Sequence, residues 1–246
     1  FQPDFSKINA TVLLAAMGLA FFKLSVGMGT MMTYGSYFRD DQNIPVTAFR
    51  VMCADLFVSM LAGIAIFPAV FTFGFQPEAG PPLVFITIPA VFAQMPFGHL
   101  LMVLFFILTS VAAIGAMLSL LEVPVAVINE RFGVSRKTAT LLTLLLVALL
   151  GSTCALTNST MAAFKLFGMN MFDLFDYLSS NILLPLGGIA IALFVGWVWG
   201  YPALQRAISN QQQLDNQKLN QLLFLILRFV TPLLILAVML HALNIL

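Results

Sequence analysis

The sequence predicts an all-α, polytopic membrane protein with six transmembrane helices, one of them broken. Three observations carry that prediction. Hydrophobic residues make up 61% of the 246 residues and charged residues only 9%, with 24 phenylalanines, a composition outside the range of water-soluble domains. Six apolar runs reach the roughly 20 residues needed to cross a bilayer. The first contains FFKLSVGMG (21–29), which sets a lysine, a serine and two glycines inside an otherwise membrane-length segment.

The six spans are expected at about 11–38, 46–73, 99–129, 137–157, 178–200 and 219–245, within a single transmembrane domain over 1–246. In the first, Ser25 to Gly29 are read as unwound. Hydrocarbon offers no water to freed backbone groups, so a break there must be buried in protein or line a cavity, and it marks a binding site. Between the second and third spans, GFQPEAGPPLVFITIPAVFAQMPFG holds an apolar run too short to cross and bracketed by prolines and glycines. It predicts an extracellular helical hairpin over 83–96. The polar stretch NQQQLDNQKLNQ (210–221) reads as a cytoplasmic linker before the last span.

Basic residues set the orientation, because they accumulate in short cytoplasmic connections. Arg39, Arg50, Arg131, Arg136, Lys137, Arg206 and Lys218 fall on one side, against Lys7 and Lys165 on the other. The expectation is a multi-pass membrane protein with both ends of this chain outside. Cys53 and Cys154 then face opposite sides, cannot pair, and read as packing residues. A net charge of +1 without a basic block argues against a nucleic-acid partner. His99 and His241 are remote from each other, and the sequence lacks a nucleophile–base constellation, so an enzyme is not expected. The chain opens at Phe1 with no charged leader and short apolar core, which reads as a piece of a longer protein.

Lys23, Asp55, Glu122 and Arg228 are the ionisable residues within the spans. Each is a functional candidate, since a charge near the bilayer centre costs about 2.5 to 3.5 kcal/mol on insertion scales. Arg228 favours a structural, snorkelling role. Lys23 and Asp55 have opposite sign and comparable depth; a clasp between helices and an ammonium occupying a cation site both fit, and the two are compatible. Glu122, two residues before Pro124, reads foremost as a structural polar group.

The runs PDFSK, AFFKLSVGMGTMMTYGSYF, LAGIAIFPAVFTFG, ITIPAVFAQMPFG, LLEVPVAVINERFGVSRK and FDLFDYLSSNILLPLGG resemble, in order, the second half of a bacterial neurotransmitter:sodium symporter with a leucine-transporter-like fold. The resemblance implies half of an inverted-repeat transporter, helices six to eleven, with the N-terminal helices one to five absent and the fragment alone inactive. It implies an amino-acid substrate contacted by Phe22 as an aromatic lid and by Ser25, Gly27, Met28, Leu120 and Leu121. It implies an outer-gate carboxylate at Asp176 and inner-gate elements at Tyr37 and Glu130. For Met28 and the two leucines, plain packing explains each residue singly as well.

The departures from the family pattern concern sodium. Lys23 stands where a threonine or serine usually ligates the first ion together with a residue matching Asp55. Gly115 and Ala116 stand where a hydroxyl-bearing pair usually serves the second ion, leaving only backbone carbonyls such as that of Ala112. A hard cation that loses oxygen ligands binds more weakly, and an ammonium is a compact point charge able to replace a monovalent ion. The implied function is secondary active transport of amino acids or related small zwitterions by alternating access, without an organic cofactor. Its coupling to Na+ is weakened, lost or exchanged for H+. The rival is a non-transporting membrane sensor or regulatory subunit that binds an amino acid.

Overall fold

The computed structural model describes residues 5–39, 42–75, 80–157, 159–209, 214, 216–243 and 245. Within them the chain forms helices and no named strand; a single β-bridge joins Leu166 to Met169. After a short turn at Phe5–Lys7, the helices are α1 (Ala10–Lys23), α2 (Thr30–Gly35), α3 (Ile44–Thr72), α4 (Leu83–Ala93), α5 (Gly98–Phe132), α6 (Arg136–Ala155), α7 (Met171–Ile208) and α8 (Gln217–Ala242). Five of these, α3 and α5 to α8, are long and apolar enough to cross a membrane. The first span, expected to be broken, is the pair α1 and α2, neither long enough alone, because the chain leaves the helix after Lys23 and re-enters it at Thr30.

The starts of the helices follow from local chemistry. The side chain of Asn9 accepts from the Val12 N–H at 2.9 Å, and that of Asn170 accepts from the Asp173 N–H at 2.8 Å, each satisfying a donor the first helical turn would orphan. Ser135 opens α6 in the same way through the Thr138 N–H. The Asn170 cap also explains why α7 begins at Met171 rather than near 178: the polar turn MFDLFDY is helical. Residues 83–93 are one helix, not a helical hairpin, since the chain reverses only at 94–97. Of the expected linker at 210–221, residues 210–213 and 215 lie outside the described residues; α8 already begins at Gln217.

Four helical stretches are wound as π turns: Leu83–Thr87, Leu178–Leu183, Phe194–Trp199 and Ile226–Val230. Each is followed two or three residues later by a proline, namely Pro89, Pro185, Pro202 and Pro232. Proline lacks an N–H and its ring collides with the carbonyl four residues back, so a wider turn ahead of it relieves the clash while the remaining carbonyls keep partners. Pro68 and Pro124 lie inside α3 and α5 without such a turn.

The chain divides into two compact units, Phe1–Ile44 with Leu120–Leu246, and Pro45–Ser119. In the first, α1, α7 and α8 build the core: Leu184, Ala192, Ile235 and Val238 are buried, and Gly18 lets the Val238 side chain approach. In the second, Val70, Ile88 and Val91 are buried, and α4 stacks its aromatics on α5 through Phe92–Phe105 (5.7 Å between centroids) and Phe85–Phe106 (6.2 Å). Elsewhere the helices carry their apolar side chains outward, which is the pattern expected where lipid or further membrane helices, rather than water, form the surroundings.

The return from α4 into α5 is so tight that a Cβ on Gly98 would lie 1.6 Å from the Phe92 carbonyl oxygen. Gly98→Ala is therefore expected to destabilise the protein by about 1 to 3 kcal/mol, the range for overpacking against an unyielding neighbour. Thermal unfolding of the detergent-solubilised full-length protein checks this, and an unchanged melting temperature would contradict the packing described.

Candidate functional site

The break between α1 and α2 is a defined backbone structure. Ser25 adopts a left-handed conformation (φ +52°), as do Gly27 (+87°) and Gly29 (+82°). The Val26 N–H donates to the Phe21 carbonyl at 3.0 Å and the Ser25 N–H to the Phe22 carbonyl at 3.1 Å. This is a Schellman closure of α1, in which the residue after the cap turns left-handed and the chain folds back onto the last carbonyls. Glycine is the usual occupant of that position. A serine there carries backbone strain of order 1 to 3 kcal/mol, and strain of this kind collects at functional sites.

What holds the strained segment is a glycine pair on α7. A Cβ on Gly187 would lie 2.2 Å from the Gly27 carbonyl oxygen, and a Cβ on Gly27 would lie 2.5 Å from the Leu184 oxygen. Gly188 in turn receives Phe21 and Ile235. Backbone thus packs directly on backbone, with Pro185 two residues before the pair. On its other side the break meets α5, where a Cβ on Gly29 would touch the Val123 side chain at 3.3 Å. Thr30, only 4% exposed, opens α2 with a buried hydroxyl that has no hydrogen-bond partner among the described residues.

Below α2 lies a polar junction. The Tyr37 hydroxyl donates to Glu122 Oε1 at 2.6 Å, and Arg136 Nη2 donates to both Glu122 oxygens at 2.7 Å. Glu122 is 18% exposed and Arg136 63%, so the arginine end of the pair lies at the surface of the packed helices. One carboxylate on α5 therefore ties together the segment after α2 and the first residue of α6.

The expected site residues fall into place unevenly. Phe22 is 51% exposed at the end of α1, beside Lys23, the last residue of that half-helix. Ser25, Gly27 and Met28 form the break, and Leu120 and Leu121 lie less than one turn before Val123 on α5. Asp55, on α3, and Ala112, Gly115 and Ala116, on α5, belong to the second unit. There the Ser59 hydroxyl donates to the Asp55 carbonyl at 2.7 Å and the Ser119 hydroxyl to the Gly115 carbonyl at 3.1 Å. Asp176 accepts from the Ser180 hydroxyl at 3.3 Å. Glu130 is exposed on α5, and Tyr37 pairs with Glu122 rather than with it. Arg136 was legible only as one of several basic residues at helix ends, and Thr30 as an ordinary helix residue; neither carried a signal of its role.

A strained, interrupted helix seated on a glycine pair, among helices of membrane length, defines the class as half of an inverted-repeat transporter fold. The chain belongs to the Sodium:neurotransmitter symporter family, whose profile matches residues 1–245. It is 38% identical over 244 residues to the uncharacterized sodium-dependent transporter YhdH of Bacillus subtilis, covering 99% of this chain and 54% of that protein. It is 34% identical over 238 residues to an uncharacterized sodium-dependent transporter of Haemophilus influenzae, covering 96% and 51% respectively. The crystal structure of MhsT in complex with L-phenylalanine is similar with a TM-score of 0.85 at 40% identity, over 98% of this chain and 54% of that one. The chain spans about half the length of these relatives.

Two outcomes test the site. Ser25→Gly should raise the melting temperature of the full-length protein by relieving about 1 kcal/mol or more of left-handed strain, whereas Gly187→Ala should lower it. Glu122→Gln should accelerate hydrogen exchange across residues 30–37, with Tyr37→Phe adding little in that background. Additive effects would mean that Tyr37 and Glu122 do not act as one unit.

Proposed function

We propose that the full-length protein is a secondary transporter of amino acids or related small zwitterions in a bacterial cell membrane, working by alternating access. The observation that carries this reading is the break at 24–29. It offers strained backbone, a half-helix end and a serine side chain at one place in a membrane-length segment, where freed N–H and C=O groups can meet a charged substrate only if no lipid reaches them. Phe22, next to the break and half exposed, is suited to closing over a bound ligand; Ser25, Gly27 and Met28 contact it from the break, and Leu120 and Leu121 from α5. MhsT is described with L-phenylalanine, which supports an amino-acid substrate for its relative.

In this reading Tyr37, Glu122 and Arg136 close the inner side, with Glu130 nearby on α5, and Asp176 serves the outer side. The seven-to-two distribution of basic residues supports an inner side that is cytoplasmic and chain ends that face outward. Helices one to five supply the rest of the pocket, so residues 1–246 alone do not transport.

Coupling is where this protein departs from its relatives' description as sodium-dependent. Lys23, with Asp55, takes the place of the first sodium ion, and Gly115 and Ala116 bring no side-chain oxygen to the second, leaving carbonyls such as that of Ala112. Coupling to Na+ is thereby weakened or lost, or H+ takes its place. The same missing ligands support a second reading, an amino-acid-binding membrane sensor that does not transport.

Ligand-dependent thermal stabilisation tests the ion dependence, since a ligand that binds the folded state raises its apparent stability. The full-length protein is expected to be stabilised by an apolar amino acid equally in Na+ and in a sodium-free buffer. Phe22→Ala should weaken that stabilisation about tenfold in ligand concentration, the loss of one well-buried aromatic contact. Saturable sodium dependence that Lys23→Thr leaves unchanged would refute the resident-cation reading. Uptake into proteoliposomes separates transporter from sensor.

A further inference from the structure

Arg228 is a charged residue in the middle of a membrane-length helix, and the first unit builds an unusual environment for it. Its guanidinium carbon lies 4.2 Å from the centre of the Trp197 ring, 5.3 Å from Phe229 and 5.8 Å from Phe224. Trp197 stands edge-on to Phe229 at 5.8 Å, and its indole N–H donates to the Arg228 carbonyl at 3.4 Å. The two residues come from facing π turns, Phe194–Trp199 on α7 and Ile226–Val230 on α8. Gly196 makes the crossing close: a Cβ there would sit 2.9 Å from Arg228 Cα.

This is a three-ring cage for a cation, without a carboxylate. Among the described residues Arg228 makes no ion pair and no side-chain hydrogen bond, and of its nitrogens only Nε is sealed from the surroundings. The terminal nitrogens therefore reach the protein surface with their donors unspent, at a place where Trp197 (56%) and Phe229 (48%) are also exposed. Cation–π contacts stabilise the charge but satisfy none of its N–H groups, and a guanidinium's planar donors match the oxygens of a phosphate.

The depth fits such a partner. Gln217, Lys218, Asn220 and Gln221 mark the polar end of α8, and Arg228 lies seven residues beyond, about 10 Å along the helix. Its approach to Phe224, one turn earlier, shows the side chain running back toward that end, in the manner of a snorkelling arginine. Arg206, in the last turn of α7, and Lys218 add positive charge at the same end of the packed pair.

We propose that Arg228 and the Trp197–Phe224–Phe229 cage form a binding site for the phosphate of an anionic phospholipid in the leaflet at the Gln217 end of α8. The aromatic rings hold the guanidinium at a fixed height and take up the upper acyl chains, while its terminal nitrogens bind the phosphate oxygens. A lipid rather than free phosphate is the ligand because Trp197 and Phe229, two of the three rings around the cation, expose apolar surface beside it.

The test is thermal unfolding of delipidated, detergent-solubilised full-length protein titrated with phosphatidylglycerol, phosphatidylcholine or inorganic phosphate. Phosphatidylglycerol should give a saturable rise in melting temperature that phosphatidylcholine and inorganic phosphate do not give. Arg228→Gln should shift its half-saturation upward about fivefold, the worth of one basic residue near an anionic surface. Trp197→Leu, which keeps the charge but opens the cage, should do the same, so the test survives if one variant does not fold. Arg206→Gln should have a smaller effect. Equal protection by the two lipids, protection by phosphate alone, or an unchanged half-saturation in both cage variants would overturn the proposal. None of these readouts depends on amino-acid binding or on transport.

Discussion

Every arrangement in this chain answers to the requirement that backbone hydrogen-bonding groups within a membrane be satisfied by the protein itself. The break after Lys23 is where that requirement is hardest to meet. The chain meets it in two ways. The Schellman closure returns the Ser25 and Val26 N–H groups to carbonyls of α1, and the Gly187–Gly188 pair lets the backbone of α7 come up against Gly27. The core of the first unit is arranged around that contact: Phe21, Gly188 and Ile235 meet one residue from it, and the rest of α1 lies along α8. The break and the packing of three helices therefore share a single set of backbone contacts.

The junction of Tyr37, Glu122 and Arg136 complements the break from the other end of α2. A six-residue helix has little stability of its own, because nucleation fixes several residues for few hydrogen bonds. It is held at its start by the seat on α7 and α5, and at its end by the Tyr37 hydroxyl on a carboxylate that also holds α6. A short helix held at its two ends can pivot when one attachment is released.

The sequence revealed the class, the membrane-length runs and the location of the break, because each rests on local composition. Glycines at 27 and 29 within an apolar run are visible without a structure. What stayed hidden depends on contacts between distant segments. Glu122 looked like an isolated polar group because Tyr37 is 85 residues away, and Arg136 looked like one more basic residue at a helix end. The π turns were hidden for a different reason: each proline announced a disturbance, but nothing local distinguishes a kink from a widened turn. The stretch at 83–96 read as a helical hairpin because its flanking prolines and glycines mark a reversal without saying how many helices it joins.

The π turn at Leu178–Leu183 also changes how α7 should be read as a surface. A bond from i to i+5 takes up one residue more than an α turn, so every side chain beyond it is rotated back by about 100° relative to a regular helix. On an uninterrupted α-helix, Asp176 and Gly187, eleven residues apart, would point the same way. With the extra residue absorbed, Gly188 moves into that direction instead. The same helix thus carries two angular registers, one for its acidic first turns and another for its glycine seat. Removing a single residue from the π turn would restore a regular helix that keeps Asp176 and Gly188 aligned, now eleven residues apart, while losing the widened turn between them.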